Sequence, residues 1–217
     1  PGGAVDEADA NPPGVMRGLD DWRVAAVREM IEETGLWLEA DGVVERGPTE
    51  EVFAMATDHG RTFDADTLVY FANWVTPEVF PLRFDTRFFI ALADDSVTGQ
   101  VDGDELVDLA WVHPSDALAR ENDRTWDVAF PTRKTLELLA SGPTASALVD
   151  RLRSLESVPA VQPRLLVADG SARIVLPDEP EFDMIGPDQA DPDLLVRLGE
   201  VIAGGGDDLP AEFKRRR

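Results

Sequence analysis

One segment constrains the fold more than any other part of the 217-residue chain, because it carries the start, the buried side and the end of a single helix. Asp20 or Asp21 can cap the start, and Gly35 can adopt the left-handed conformation that ends a helix. Between them, apolar residues recur at helical spacing, which predicts one buried side. We therefore predict a helix from about Asp20 through Thr34 that packs against a core.

The other side of this predicted helix is acidic. At about 100° per residue, Glu29, Glu32 and Glu33 fall within little more than one quadrant of the helix surface. Carboxylates at this spacing repel one another, but they also offer the oxygen ligands that Mg²⁺ and Mn²⁺ prefer. Arg28 precedes Glu32 by one helical turn and can hold that carboxylate in position. The chain has 43 acidic residues, so the spacing alone favours a solvated face and leaves a metal site as the alternative.

Composition narrows the chemistry that such a face can perform. The chain has 20 basic and 43 acidic residues and a formal net charge of −23, which argues against a nucleic-acid partner because phosphate backbones bind basic surfaces. Cysteine is absent and histidine occurs twice, so thiolate metal sites are excluded and His-based triads are disfavoured. Acid–base or metal chemistry would therefore use carboxylates and arginine. The apolar runs are far shorter than a membrane span, so we expect no membrane partner and a cytoplasmic protein.

The remaining segments predict a mixture of helices and strands. Helices are predicted for residues 49–59, 114–119, 132–140, 144–157 and 193–202, and strands for residues 67–75, 83–93 and 106–112. A hairpin is predicted for residues 164–176, because an Asp-Gly pair supports a tight turn. The fold class is therefore α/β or α+β, with helices covering a mixed sheet.

The acidic helix resembles a known motif. Residues 28–36 read Arg-Glu-Met-Ile-Glu-Glu-Thr-Gly-Leu and match the second half of the Nudix box, Arg-Glu-apolar-x-Glu-Glu-x-Gly-apolar, at every specified position. Residues 1–6 read Pro-Gly-Gly-Ala-Val-Asp, which resembles the Pro-Gly-Gly-x-apolar-acidic entry to the box. By this resemblance the chain is similar to Nudix hydrolases. The resemblance implies an α/β/α sandwich with a mixed β-sheet, in which the first strand would lie upstream of this sequence.

The match to the box has two departures. Asp9 stands where the family has Glu, and eighteen residues rather than seven separate it from Arg28, which indicates an insertion of eleven residues at about 10–20. A box interrupted in this way is similar to the Nudix branch that includes the peroxisomal coenzyme A diphosphatase and its bacterial relatives. The resemblance covers residues 1–140, the predicted Nudix domain. Residues 141–217 are predicted to form a C-terminal extension with a helix, a hairpin and a flexible tail.

The resemblance implies a metal-dependent hydrolase. It would cleave the diphosphate linkage of a nucleoside diphosphate derivative with Mg²⁺ or Mn²⁺, and the branch favours coenzyme A or acyl-coenzyme A as substrate. ADP-ribose, NADH and nucleoside triphosphates are alternatives within the same chemistry. A Nudix-fold regulator that binds a nucleotide without cleaving it is the alternative from another class. The expected partner is then a small-molecule nucleotide. The sequence is also compatible with a homodimer.

The resemblance also implies roles for the acidic face. Glu29, Glu32 and Glu33 are expected to bind the metal, and Glu29 can also serve as the catalytic base. Arg28 is expected to orient a carboxylate. Glu105 is a further candidate ligand or base, although a solvated loop acid is the favoured interpretation of that residue.

Four residues are candidates for substrate contacts. Gly2 and Gly3 can allow close backbone approach to the helix or to a phosphate. Arg83 and Arg87 can bind phosphate oxygens through bidentate hydrogen bonds, although an ion pair between Arg87 and Asp85 is at least as favoured. The alternate residues of the same predicted strand are interpreted as core: Phe84, Thr86, Phe88 and Ile90.

Overall fold

The computed structural model describes residues 1–16, 19–39, 42–63, 67–80, 82–168 and 171–185. These residues form two compact units. The first unit comprises residues 1–71, 89–112 and 143–155, and the second comprises residues 72–88, 113–142 and the described residues from 156 onward. The helix predicted for 193–202 and the flexible tail lie outside the described residues, and the domain boundary predicted at residue 140 stays a prediction.

The predicted acidic helix is present with the expected boundaries. Helix α1 spans Asp21–Thr34, and the Asp20 carboxylate accepts a hydrogen bond of 2.8 Å from the Arg23 amide. Gly35 has φ 64°, and its amide donates to the Ile31 carbonyl at 2.9 Å. The capping chemistry in the sequence therefore determines where α1 begins and ends.

The apolar side of α1 forms the main core of the first unit. A hairpin of β1 (Leu36–Glu39) and antiparallel β2 (Gly42–Glu45) and the helix α2 (Val52–Asp58) pack with it. Helix α5 (Ala145–Arg153) belongs to the same unit. The buried core residues of this cluster are Met16, Val24, Val27, Ile31, Trp37, Leu38, Val52, Ala56 and Leu68.

Two strands predicted from the sequence are confirmed with shorter bounds, as β3 (Val69–Val75) and β4 (Asp85–Ile90). A three-stranded sheet has the order β4-β3-β5, and β5 (Ala160–Val161) runs parallel to β3. The expected mixed α+β class with a mixed sheet is therefore confirmed. No helix in the described part of the chain is long and apolar enough to cross a bilayer.

The strand predicted for residues 106–112 is wrong, because this segment has no regular structure. The Asp102 carboxylate accepts hydrogen bonds from the amides of residues 104, 105 and 106, which compete with strand pairing. The apolar residues that suggested a strand are not buried, since Val107 is 84% exposed and Trp111 is 60% exposed. The apolar and aromatic residues of this segment predicted a strand where the chain forms a loop.

The second unit carries the remaining helices and the C-terminal hairpin. Helix α3 (Pro114–Asn122) begins after His113, whose Nδ1 accepts from the Ser115 amide, which gives His113 a structural role. Helix α4 (Phe130–Ala140), the antiparallel strands β6 (Arg164–Ala168) and β7 (Ser171–Val175), and the short helix α6 (Phe182–Ile185) follow. The buried core residues of this unit include Val79, Leu165, Ala172 and Ile174.

The core interpretation of the β4 face is wrong at two positions. Phe84 is 58% exposed, and Thr86 is also exposed. Phe84, Thr86 and Phe88 line a cavity of the second unit instead of a closed core.

The conformation of Gly35 yields a stability prediction. A β-carbon at Gly35 would lie 2.5 Å from the carbonyl carbon of Gly47, so Gly35→Ala adds a backbone clash to the cost of a left-handed φ. Gly60 is a matched control, because its φ is 58° and its β-carbon would meet no atom within 4 Å. We expect denaturant unfolding to show a loss of about 1 kcal/mol for Gly60→Ala and at least about 2 kcal/mol for Gly35→Ala. Equal losses would contradict the proposed clash.

Candidate active site

The glutamates predicted to form the acidic face lie on the last two turns of α1 and are mostly buried. Their side chains are 12% exposed at Glu29, 23% at Glu32 and 7% at Glu33. The solvated face that the spacing alone favoured is therefore wrong. Burial of three carboxylates on one helix requires groups that compensate their charge.

Arg28 provides the main compensation. Its Nη1 donates to Glu29 Oε1 and to Glu32 Oε2, each at 2.8 Å. Its Nε and Nη2 donate to the two carboxylate oxygens of Asp9 at 3.0 and 2.9 Å, and Nη2 also donates to the Ala4 carbonyl at 2.9 Å. All five N–H groups that a guanidinium possesses are thus engaged. The predicted contact between Arg28 and Glu32 is present, together with two carboxylate contacts that the sequence did not reveal.

Asp9 is the partner that sequence reasoning missed. It is 1% exposed and binds the guanidinium of Arg28 through both oxygens, in the bidentate geometry that strengthens an arginine–carboxylate pair. The Asp6 amide also donates to Asp9 Oδ2 at 2.8 Å, at the start of the 3₁₀ helix Glu7–Ala10. The position of Asp9 in the interrupted box was the available signal, although the shorter side chain and the insertion obscured it.

The two glycines near the start of the chain approach the helix closely. The Gly2 amide donates to Glu33 Oε1 at 3.2 Å. A β-carbon at Gly3 would lie 2.3 Å from Glu29 Oε1, so a residue with a side chain would displace that carboxylate. The predicted close approach to the helix is observed, and contact of these glycines with a phosphate stays a prediction.

The cluster carries more negative than positive charge. The Arg28 guanidinium pairs with the carboxylates of Asp9, Glu29 and Glu32, and the carboxylate of Glu33 adjoins that of Glu29. Burial raises the pKa of Glu29 and of Glu32 above the ordinary value, and hydrogen bonds from Arg28 oppose the rise. The neighbouring charge of Glu33 raises the pKa of Glu29 further. The hydrogen bond to Asp9 raises the pKa of Arg28, which keeps the guanidinium protonated.

The carboxylate oxygens of the α1 glutamates are the type of donor that binds a hard divalent cation. Carboxylate oxygens are the ligands that Mg²⁺ and Mn²⁺ prefer, and three glutamates of α1 bring such oxygens to one side of the helix. Arg28 engages one oxygen of Glu29 and one of Glu32. As the side chains stand, no group of three acidic or histidine residues in the described part of the chain is arranged to hold a metal ion. Ligation would therefore require the glutamate side chains to reorient.

Glu105 lies on a loop that is tied to α1. The Glu105 amide donates to Asp102 Oδ2 at 2.9 Å, and the Asp102 amide donates to the Glu33 carbonyl at 3.1 Å. The Glu105 residue itself is exposed. Its role as a further ligand or base stays a prediction.

Arg83 and Arg87 belong to the second unit. Arg83 is exposed, and its Nε donates to the Thr76 carbonyl at 3.1 Å. Arg87 is half-buried on β4. Binding of substrate phosphates by these two residues stays a prediction.

The chain was compared with family models, with known sequences and with solved structures. No family model matches the chain. A Caenorhabditis elegans protein whose name includes the words nudix hydrolase 7 is 28% identical over 128 residues, which cover 54% of this chain and 41% of that protein. A crystal structure of a NUDIX hydrolase from Alicyclobacillus acidocaldarius is similar with a TM-score of 0.58 and 26% identity, covering 68% of this chain and 78% of the other.

Both similar proteins are named as Nudix hydrolases, and the similarity extends to the fold. The chain spans less than half the length of the C. elegans protein, so the comparison concerns a shared region rather than two whole proteins. The matched Nudix box from Arg28 to Leu36 corresponds to α1 and the residues that follow it.

The raised pKa of Glu29 yields a prediction about pH. The folded chain binds a proton at Glu29 more tightly than the unfolded chain, so this carboxyl stabilises the fold fully below about pH 4.5, its ordinary pKa, and loses that contribution as pH rises through the raised value. Glu29→Gln resembles the protonated form at every pH. We therefore expect the unfolding free energy of Glu29→Gln relative to the natural chain to be most favourable at neutral pH and to decline as pH falls.

Urea unfolding in a chelator at several pH values measures this difference. Asp21→Asn is the control, because Asp21 is exposed on the first turn of the same helix. A relative stability of Glu29→Gln that grows as the solution becomes more acidic would contradict the charge arrangement described above.

Proposed function

We propose that the chain hydrolyses the diphosphate linkage of a nucleoside diphosphate derivative, with a divalent cation held by Glu29, Glu32 and Glu33. The observation that carries the proposal is the buried glutamate cluster of α1, in which one arginine faces several carboxylates. Similarity to proteins named as Nudix hydrolases supports the same chemistry. A bound Mg²⁺ or Mn²⁺ would supply charge neutralisation and a more acidic water molecule.

The residues of the chain then have distinct roles. Arg28 positions the carboxylates of Glu29 and Glu32, and Asp9 fixes the guanidinium of Arg28 in turn. Glu29 is the proposed general base as well as a proposed ligand of the cation. Glu105 is a proposed further base or ligand on the adjoining loop.

The best proposed substrate is coenzyme A or acyl-coenzyme A. The interrupted box, with its insertion between Asp9 and Arg28, supports this branch of the family. ADP-ribose, NADH and nucleoside triphosphates are alternative substrates of the same chemistry. In each case Gly2, Gly3 and the arginines at positions 83 and 87 are the proposed contacts to substrate. A homodimer and a cytoplasmic location are further proposals.

One observation favours the alternative of a nucleotide-binding regulator. Arg28 already engages Glu29 and Glu32, and the described residues do not surround a common metal position as they stand. A regulator would bind a nucleotide without turnover. The experiment below separates this alternative from the hydrolase.

The test is turnover by the full chain of coenzyme A, ADP-ribose, NADH and nucleoside triphosphates, with Mg²⁺ or Mn²⁺. We expect hydrolysis of at least one diphosphate, and a loss of about 100-fold or more in kcat for Glu29→Gln, Glu32→Gln and Glu33→Gln. The replacement Asp21→Asn on the same helix should leave turnover unchanged, because Asp21 is exposed on the first turn.

Two outcomes would contradict the proposal. Binding of a nucleotide with no turnover of any diphosphate would favour the regulator. Full activity in Glu32→Gln and Glu33→Gln would show that the α1 cluster is not the site. Circular dichroism of each variant separates a loss of catalysis from a loss of folding.

A further inference from the structure

The second unit contains a cavity of about 620 Å³ that the proposed diphosphate chemistry does not use. The described residues that form its lining all belong to that unit. Its volume lies within the range of about 300–1,000 Å³ that is typical of small-molecule sites. The walls are mainly aromatic and aliphatic, with Trp74, Phe80, Phe84, Phe88, Phe130 and Ile174 among them.

The lining favours an uncharged ligand. No ionisable side chain occurs among the described residues that form it, and its polar side-chain groups are the hydroxyls of Thr76, Thr86 and Thr132 and the indole N–H of Trp74. The Thr76 hydroxyl already accepts a hydrogen bond of 3.0 Å from the Phe84 amide. A charged ligand would lose its hydration here without gaining a partner of opposite charge.

Two large apolar side chains of the lining remain in contact with water. Leu82 is 67% exposed and Phe84 is 58% exposed. Large apolar side chains that share one concave surface are typical of a binding site, because contact with an apolar ligand would remove their surface from water.

The wall geometry favours an aliphatic chain over a flat ring. Trp74 and Phe130 meet edge to face, with centroids 5.8 Å apart and planes at 89°, so this pair offers no two parallel faces between which a nucleobase could stack. The hydroxyl groups of the lining also provide few hydrogen bonds for the edge of a base. The cavity volume corresponds to that of about twenty water molecules in the liquid, which is enough for a chain of many methylenes.

We propose that this cavity binds the unbranched hydrocarbon chain of a lipid-like molecule. Binding is driven by removal of apolar surface from water, so affinity depends on chain length and not on the charge of the head group. The inference does not rest on diphosphate hydrolysis, because it is tested by binding alone.

The experiment is calorimetric titration of the full chain with straight-chain 1-alkanols from butanol to dodecanol. We expect the affinity to rise by up to about fourfold per added methylene until the cavity is filled, and then to level off. Alkanoates of the same lengths form the second arm and distinguish a free fatty acid from a neutral chain. They should follow the same dependence on length without tighter binding, since no cationic side chain lines the described cavity.

Matched variants assign the binding to the cavity. Thr86→Trp places a large ring in the lining and should weaken binding of the longest alkanol by at least about tenfold. Asp85→Trp adds the same ring at the neighbouring position of β4, where alternation directs it to the opposite face, and should bind as the natural chain does. Thr132→Trp tests the α4 side of the lining independently if the first variant fails to fold.

Three outcomes would overturn the inference. They are an affinity independent of chain length, undiminished binding in both Thr86→Trp and Thr132→Trp, and preferential binding of a flat ring such as adenosine over every alkanol. None of them contradicts the diphosphatase proposal, because the glutamates of α1 take no part in the measurement.

Discussion

The arrangement of the candidate site depends on one buried guanidinium. Arg28 donates all five of its N–H groups, and three of its four acceptor groups are the carboxylates of Asp9, Glu29 and Glu32. Without it, adjacent carboxylates on a mostly buried helix face would repel one another in a medium that screens charge poorly. The excess negative charge that remains is the physical basis for proposing a cation there.

Backbone features around α1 keep this arrangement compact. Gly35 ends the helix immediately after the glutamates and turns the chain into β1. Gly3 allows the incoming segment to lie against the Glu29 carboxylate, and the Gly2 amide binds Glu33. Met16, which lies within the predicted insertion, is fully buried in the core of the first unit. The inserted segment is therefore at least partly integrated into the fold.

Local chemistry made some features predictable from the sequence. Asp20 and Gly35 specify the ends of α1 through hydrogen bonds within a few residues, and helical spacing placed the glutamates together. One contact between distant residues and one local hairpin were missed. The contact between Asp9 and Arg28 joins residues 19 positions apart, and the hairpin of β1 and β2 was not predicted although its residues include a buried Trp37. Apolar residues predicted a strand near Val107, and alternation predicted a core position at Phe84, because such patterns cannot distinguish a closed core from a loop or a cavity wall.

The coupling free energy between Arg28 and Asp9 tests the central claim most directly. It is obtained from the unfolding free energies of Asp9→Asn, Arg28→Lys and the double variant, since lysine keeps the charge but loses the forked geometry of arginine. If the buried bidentate pair organises the site, the two changes should be non-additive by at least about 1.5 kcal/mol. Effects that add to within about 0.5 kcal/mol would show that the two residues act independently and would contradict the account.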